Sequence, residues 1–318
     1  MNNNYTFELL NDNNIKDLPS LFKNAFNEVR SIESIKSKYD SSKTGGNNFT
    51  FIAYDSNNNP GGLYAIFPVY INYNNEKILA GQVGDILIHS DHKKSFNLFS
   101  KLASHSHDYA KNNGIKLLYA FVYGDKGSYP LFVRYLDFID NECFKGYCVK
   151  INTLPLSSLA KRYPAVNFFY KPYFLFLHKL FFKKQNYFLN FKKEMNYNEI
   201  EKDNDYIKYK SSYSSSEVLE IGSVRFFIKL NKDGSIGIGD VDKCSIIEIS
   251  SSIKKLKIIA FLMGVRILQF EMSKDHILDQ ILCSQYNAIN ERRLLYLPLD
   301  ENINGETIKF TYCDLDTF

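Results

Sequence analysis

The stretch from Val83 to Phe138 constrains the fold most, because its pattern alternates between strand-like and helix-like spacing without a break. Val83–Ile88 is a short apolar run of the kind that forms a buried strand. Ser90–Asn97 is polar and carries Lys93 and Lys94. From Phe99 onward, Leu102, Ala103, Ser106 and Ala110 repeat at helical spacing, and Gly114 after Asn112 and Asn113 supplies a stop. Ile115–Val122 reads as a second apolar strand, and Tyr129–Tyr135 as a short aromatic helix ended by Asp137-Phe138. A basic turn between strand and helix gathers backbone N–H groups at a positive helix end. That is a setting for phosphate or pyrophosphate.

Around this core the chain continues in the same style. Tyr5–Leu10 predicts a strand, and Asn13–Asn27 an amphipathic helix through Ile15, Leu18, Leu21, Phe22 and Phe26. Ile32–Lys43 is charged and has no clear period. Phe49–Tyr54 and Gly62–Val69 predict strands either side of the turn-rich Asp55–Gly61, and Lys77–Leu87 rises into the central strand. Phe144–Ile151 would close this first sheet.

Leu154–Lys184 breaks the pattern, and Phe168–Lys184 is the most apolar stretch of the chain, interrupted by Pro172. It is too short and too basic to span a bilayer, which takes roughly 20 apolar residues. His178, Lys179, Lys183 and Lys184 leave it a broad aromatic face. The simpler expectation is a connecting helix with that face buried between two domains. The alternative is peripheral membrane contact through residues 168–184. Beyond the polar Tyr187–Tyr213 and the serine-rich Ser211–Ser216, the second half repeats the first. Val224–Leu230 and Ile236–Asp240 form a hairpin over Asp233-Gly234. Ile246–Ile249 reads as a strand, Ile253–Met263 as a helix closed by Gly264, Arg266–Met272 as a strand and Asp275–Tyr286 as a helix. Leu294–Leu299 and Thr307–Tyr312 read as final strands.

The 318 residues, 45% hydrophobic, suffice for two cores. With 39 Lys+Arg against 35 Asp+Glu, the net charge of +4 gives no global nucleic-acid footprint. Cys143, Cys148, Cys244, Cys283 and Cys313 are odd in number and contain no CxxC pair, which favours reduced thiols over disulfides or zinc. His92, His105 and His107 lack a ligand spacing, so no metal site is expected. The N-terminus MNNNYTFELLNDNN has no basic region followed by an apolar core, so the expected location is cytoplasmic, with association at the inner membrane face if residues 168–184 touch lipid.

The Val83–Phe138 stretch resembles the acyl-CoA-binding core of the GNAT acetyltransferases. The pyrophosphate turn of that family, Arg/Gln-x-x-Gly-x-Gly/Ala, is matched by Lys94-Ser-Phe-Asn97-Leu-Phe99, with Asn97 in place of a glycine. Asparagine tolerates the left-handed backbone such a turn can need. Over most of its length the chain is similar to members from polysaccharide clusters, through Lys38-Tyr39, Asp85, Gly127-Ser128-Tyr129-Pro130 and the tail Cys313-Asp314-Leu315-Asp316. The resemblance implies an α/β fold of tandem GNAT-like domains, each a central, mostly antiparallel mixed sheet flanked by helices. The boundaries would be 1–153 for the acyl-CoA-binding domain, 154–195 for connecting helices and 196–318 for the second copy. The second copy carries Ser250-Ser251-Ser252-Ile253-Lys254 at the turn and is not expected to bind CoA.

The implied co-substrate is acetyl-CoA or another acyl-CoA, held along Ile86, Leu87 and Ile88 and at the N–H groups of Lys94, Ser95, Phe96, Asn97, Leu98 and Phe99. An acyl transfer to an amine also needs a way to remove the amine proton and a proton for the thiolate. Asp85, a carboxylate inside an apolar strand, and His89 at the strand end are the candidate bases, each with a structural role as its alternative. The family's acid is a Tyr four residues before a Gly-Phe pair; here the pair reads Asp137-Phe138 and the Tyr position is Val133. Tyr129 and Tyr123 are the candidate substitutes. The resemblance implies an N-acyltransferase acting on a nucleotide- or lipid-linked amino sugar for a surface polysaccharide, with no nucleic-acid partner. The rival readings are a non-catalytic GNAT-like scaffold and an aminoacyl-tRNA-dependent transferase.

Overall fold

The computed structural model describes residues 5–92, 96–124, 128–142, 144–181, 183–184, 198–231, 233–242, 244–289 and 292–318. The first half runs β1 (Thr6–Leu9), α1 (Leu18–Phe26), α2 (Ile32–Tyr39), β2 (Phe51–Tyr54), β3 (Pro60–Tyr73), β4 (Glu76–Ile88), α3 (Phe96–Asn112), β5 (Leu117–Tyr123), α4 (Ser128–Tyr135) and β6 (Ile139–Asn141). It continues through β7 (Phe144–Lys150), α5 (Leu156–Arg162), α6 (Pro164–Phe181), β8 (Lys183–Lys184), β9 (Asn198–Ile200), α7 (Asn204–Tyr213), β10 (Ser216–Ile221), β11 (Val224–Leu230) and β12 (Ile236–Val241). The last elements are α8 (Ile246–Leu262), β13 (Ile267–Ser273), α9 (Ile277–Leu282) and β14 (Arg292–Pro298).

These elements form two compact units, and neither is contiguous in sequence. The first is residues 1–142, 197–201 and 292–308; the second is residues 143–196, 202–291 and 309–318. In the first unit the sheet order is β1-β2-β3-β4-β5-β14-β6, with β9 pairing β3. All its ladders are antiparallel except β4–β5. In the second unit the order is β7-β13-β12-β11-β10-β8, and only β12–β13 is parallel. Each parallel pair is joined by a long helix, α3 in one unit and α8 in the other, as a parallel connection requires. The two units thus repeat one plan, the mixed sheet with flanking helices that the resemblance implies.

The division of the chain differs from the sequence expectation of a break after residue 153. Phe144–Lys150 does not close the first sheet; it pairs with β13 in the second unit. The strand beside β5 is instead Arg292–Pro298, from the far end of the chain. An apolar run reveals that it is a strand but not which edge it joins, since pairing is non-local. Three further expectations change. Ile246–Ile249 is helical, because Ser245 and Glu248 form a reciprocal capping box that starts α8 there. The Ser250–Lys254 segment therefore lies inside a helix and not in a turn. Helix α6 runs unbroken through Pro172. Its aromatic face is not buried: Phe168 and Phe176 are exposed, and Leu177 is its one buried residue among those described.

Two layers of side chains cover the first sheet. On one face Phe49, Tyr64, Ile66, Val83, Leu118 and Ala120 pack with Leu98, Phe99, Leu102 and Ala103 of α3. On the other, Ile52, Leu63, Phe67 and Leu87 pack with Leu18, Leu21 and Phe22 of α1 and Ile35 and Tyr39 of α2. On the α3 face, Tyr64 Oη and His107 Nε2 are 2.7 Å apart. Burial lowers the His107 imidazole from 6.5 to about 4, only partly opposed by Asp108. The folded chain therefore resists a proton that the unfolded chain accepts, and stability should fall as pH drops from about 6.5 to about 4. Urea midpoints measured across that window should flatten in His107→Gln; an unchanged slope would mean His107 is not the group responsible.

Candidate active site

Strands β4 and β5 run side by side only from Ala80–Val83 against Leu117–Ala120. Beyond that point Gly84–Ile88 and Phe121–Tyr123 diverge, and among the described residues no ladder spans the gap. The cause lies on the other side of β4. Tyr64 pairs with Ile86 and Ile66 with Val83, so Gly84 and Asp85 together oppose Ala65. This two-against-one bulge bends the strand away from its parallel neighbour and re-aims the side chains that follow. Val83, Ile86 and Ile88 pack on the α3 face. Leu87 packs on the α1–α2 face.

Asp85 faces α1 and α2. Lys38 Nζ donates to Asp85 Oδ2 at 2.7 Å and Tyr39 Oη donates to the same oxygen at 2.8 Å. Arg30 Nη1 stands 3.6 Å from it. Lys38 Nζ also lies 5.2 Å from the Phe67 ring centre, and Tyr39 packs on that ring. Burial would lower the Arg30 guanidinium, but Asp85 and Glu28 outweigh it and hold it above its ordinary value. The carboxylate thus meets hydrogen-bond partners and does not point unengaged into an open cleft. All three contacts use Oδ2; among the described residues none uses Oδ1. The Lys38-Tyr39 pair and Asp85, separate motifs in the sequence, form one cluster. Sequence reasoning passed over Arg30, which lies just ahead of the capping Ser31 of α2. It also passed over Gln82, 2% exposed and with an Nε2 that has no hydrogen-bond partner. Gln82 pairs with Phe67 across the ladder, so it shares the Tyr39 face of the sheet.

The remaining predicted residues fall out as follows. Lys94 and Ser95 lie outside the described residues. Phe96 opens α3, and Asn97 is in its first turn with ordinary helical backbone and an exposed side chain, so no left-handed asparagine forms this turn. Leu98 and Phe99 are buried and anchor the helix start in the core. Left-handed backbone appears at other positions, among them Asp137, at the family's glycine position, with φ 57°. Val133, at the family's tyrosine position, packs against the core. His89 Nδ1 accepts from the Asp91 N–H at 3.3 Å, which ties it into the Ser90–His92 turn. Tyr129 donates to Asp140 at 2.8 Å, and that bond, ahead of burial, raises its pKa. Tyr123, at the end of β5, accepts from Arg292 Nη2 at 2.8 Å. Among the described residues no group of His, Cys, Asp and Glu could hold a metal ion.

The second unit repeats this geometry with a different content. Phe227 pairs with Asp240 and Ile228 with Ile238, so Gly239 makes a bulge just before an aspartate, as Gly84 does before Asp85. The β12–β13 ladder ends at Ile238–Phe270, and the strands separate there too. Here the C-terminal segment fills the gap. Thr311 bridges Met272, and the Ser273 N–H donates to the Phe310 carbonyl. A side chain at Gly239 would collide with Phe318 and Cys313. Lys202, 4% exposed, sits 2.6 Å from Asp240 and 3.2 Å from Asp314. Burial alone would raise the Asp240 carboxyl; Lys202 and His276 outweigh it and hold it below the usual range. The Gly-Asp dipeptide recurring 155 residues apart (83-Val-Gly-Asp-Ile and 238-Ile-Gly-Asp-Val) is the sequence signal that could have aligned the two copies. Lys202→Met leaves two buried carboxylates without their cation and should cost about 4 kcal/mol in chemical denaturation. Lys36→Met, which breaks only an exposed pair with Asp12, should cost under about 1 kcal/mol. Equal costs would contradict the assignment of Lys202 as the clasp.

Residues 6–129 match the family described as the acetyltransferase (GNAT) domain. No curated protein matches the chain. Among solved structures, a protein of Pyrococcus horikoshii provisionally assigned as an acetyltransferase shares 13% identity over 97% of this chain and 93% of its own, with a TM-score of 0.55. A GCN5-related N-acetyltransferase from Anabaena variabilis shares 12% identity over 93% of this chain and 73% of its own, with a TM-score of 0.57. A GCN5-related glucosamine N-acetyltransferase region of a fungal multi-domain GH3 β-N-acetylglucosaminidase aligns with 93% of this chain and 38% of that one, at 10% identity and a TM-score of 0.51. These likenesses extend the shared fold beyond the matched domain and across both units. The matched segment, which holds the bulged strand and the separated parallel pair, is thus an acetyltransferase (GNAT) domain within the first unit.

Proposed function

We propose that the chain transfers an acetyl group from acetyl-CoA to the amino group of a nucleotide- or lipid-linked sugar in surface polysaccharide biosynthesis. The observation that carries the acyl-CoA half is the gap between β4 and β5 in the first unit. The amide-bearing arm of CoA is an extended polar strip, and the edge of β4 at Ile86, Leu87 and Ile88 offers it strand-like main-chain partners. The positive end of α3 would hold the pyrophosphate, and Lys94 and Ser95 precede that helix in the sequence. When bound, acetyl-CoA supplies an activated thioester. The second unit has the same gap, filled by Thr311–Phe318, so the reading assigns one acyl-CoA site per chain.

Asp85, held through Oδ2, keeps Oδ1 to orient the acceptor amine and take its proton. Lys38, Tyr39 and Arg30 fix the carboxylate in place. Tyr123 sits at the end of the separated strand beside Arg292, and the reading assigns it the proton for the departing thiolate. Tyr129 serves less well, because its proton is shared with Asp140. His89, bound through Nδ1, has only Nε2 left for proton transfer. The sugar half of the reading draws on an open hollow of about 410 Å³ beside Tyr39, edged by Asn11, Asp12, Lys36, Asp40 and Asn48. Such a lining suits hydroxyl groups. The fungal neighbour's glucosamine chemistry supports the same acceptor class.

Calorimetry should show one acetyl-CoA bound per chain, and thiol release should appear when an amino-sugar nucleotide is added. Asp85→Asn should keep that binding and lower turnover at least about 100-fold. Absent acetyl-CoA binding sinks the acyl-transfer reading. Binding with turnover on other amines, and none on amino sugars, sinks the sugar assignment alone.

A further inference from the structure

Helix α6 is apolar on both of its long sides. Phe174, Leu177 and Phe181 turn inward to the core of the second unit, and Tyr170 Oη donates to the Met263 carbonyl. On the opposite side Phe168 is 75% exposed, Phe169 74%, Phe176 63% and Leu180 61%. Phe168, Phe169, Phe176 and Leu180 fall within one third of a helical turn of one another when projected down the axis, so they form one face. Tyr173 Oη donates to the Leu262 carbonyl and pins α6 beside the end of α8, where Ile258 and Phe261 are also exposed. A helix hydrophobic all round belongs in a core or in lipid, and a face of this size in water marks an interaction surface.

The charge around this face names the partner. Between Glu142 and Glu194 the chain places ten of its 39 Lys and Arg and none of its 35 Asp and Glu. Lys171 and Lys179 are exposed on α6, and Lys161 and Arg162 on α5 before it. Two copies of this chain meeting through such a surface would bring like charges together. No helix among the described residues is long and apolar enough to cross a membrane. We infer that α6 lies in the plane of an anionic lipid surface, its phenylalanines at the acyl boundary and its lysines among the headgroups. This surface stands independently of the acyl-transfer reading.

The test is co-sedimentation of the full chain with phosphatidylcholine vesicles, with and without phosphatidylglycerol. Binding should be about tenfold tighter to the anionic vesicles. Phe168→Ser/Phe169→Ser/Phe176→Ser should lower it about tenfold with an unchanged thermal melt, since these side chains are already exposed. Lys171→Glu/Lys179→Glu should remove the preference for anionic lipid even where the phenylalanine variant is poorly expressed. No sedimentation with either vesicle would overturn the inference. So would a dimer in light scattering that the phenylalanine substitutions dissolve, because the face would then be covered by a second copy.

Discussion

Both units depend on a carboxylate set behind a glycine in a bulged strand and clasped by a lysine. A bulge leaves a strand with an extra residue and a broken ladder, and a buried charge in that position costs far more than it returns unless a cation meets it. Lys38 meets Asp85 and Lys202 meets Asp240. The pairing holds the strand in its bent course, and the bend parts it from its parallel neighbour. That parting leaves a strand edge along which an extended ligand could lie, which a closed parallel ladder would not.

The same device is used twice with opposite outcomes. In the first unit the gap is left open by the described residues. In the second the chain's own end occupies it, with Tyr206 Oη donating to the Cys313 carbonyl and Lys210 Nζ to the Leu315 carbonyl. The segment that resembles a family tail in sequence is therefore structural, and its two aspartates are not equivalent. Asp314 is buried in the clasp, whereas Asp316 is only half-buried.

Much of this was legible in the residues, and the limits have physical causes. Local signals worked: the apolar run at Val83, the period of α3 and the Asp233-Gly234 hairpin all correspond to observed elements. The resemblance named Lys38-Tyr39 and Asp85 without showing that they touch, since contact across 47 positions is tertiary information. The turn chemistry was read one step off. Asn97 was expected to take left-handed backbone but is helical, whereas Asp137, where the chain leaves α4, does take it. Ile246–Ile249 looked like a strand because isoleucine favours strands, and a capping box overruled it. The exposure of Phe168 and Phe176 could not be foreseen, because periodicity shows that a face is apolar and not what covers it.

The exchange of strands between the two halves of the chain has a consequence for synthesis. The first unit contains β14, and β14 begins at residue 292 of 318. As the chain emerges from the ribosome, β1 to β5 can assemble early, but β5 must wait with one edge bare until synthesis has reached β14. Over that interval β7 is already available and lies far nearer to β5 in sequence than β14 does, yet it must be kept for β13. A nascent chain of this kind has a built-in competitor for its own sheet edge, and correct assembly rests on β7 being held by its proper partner before β5 captures it.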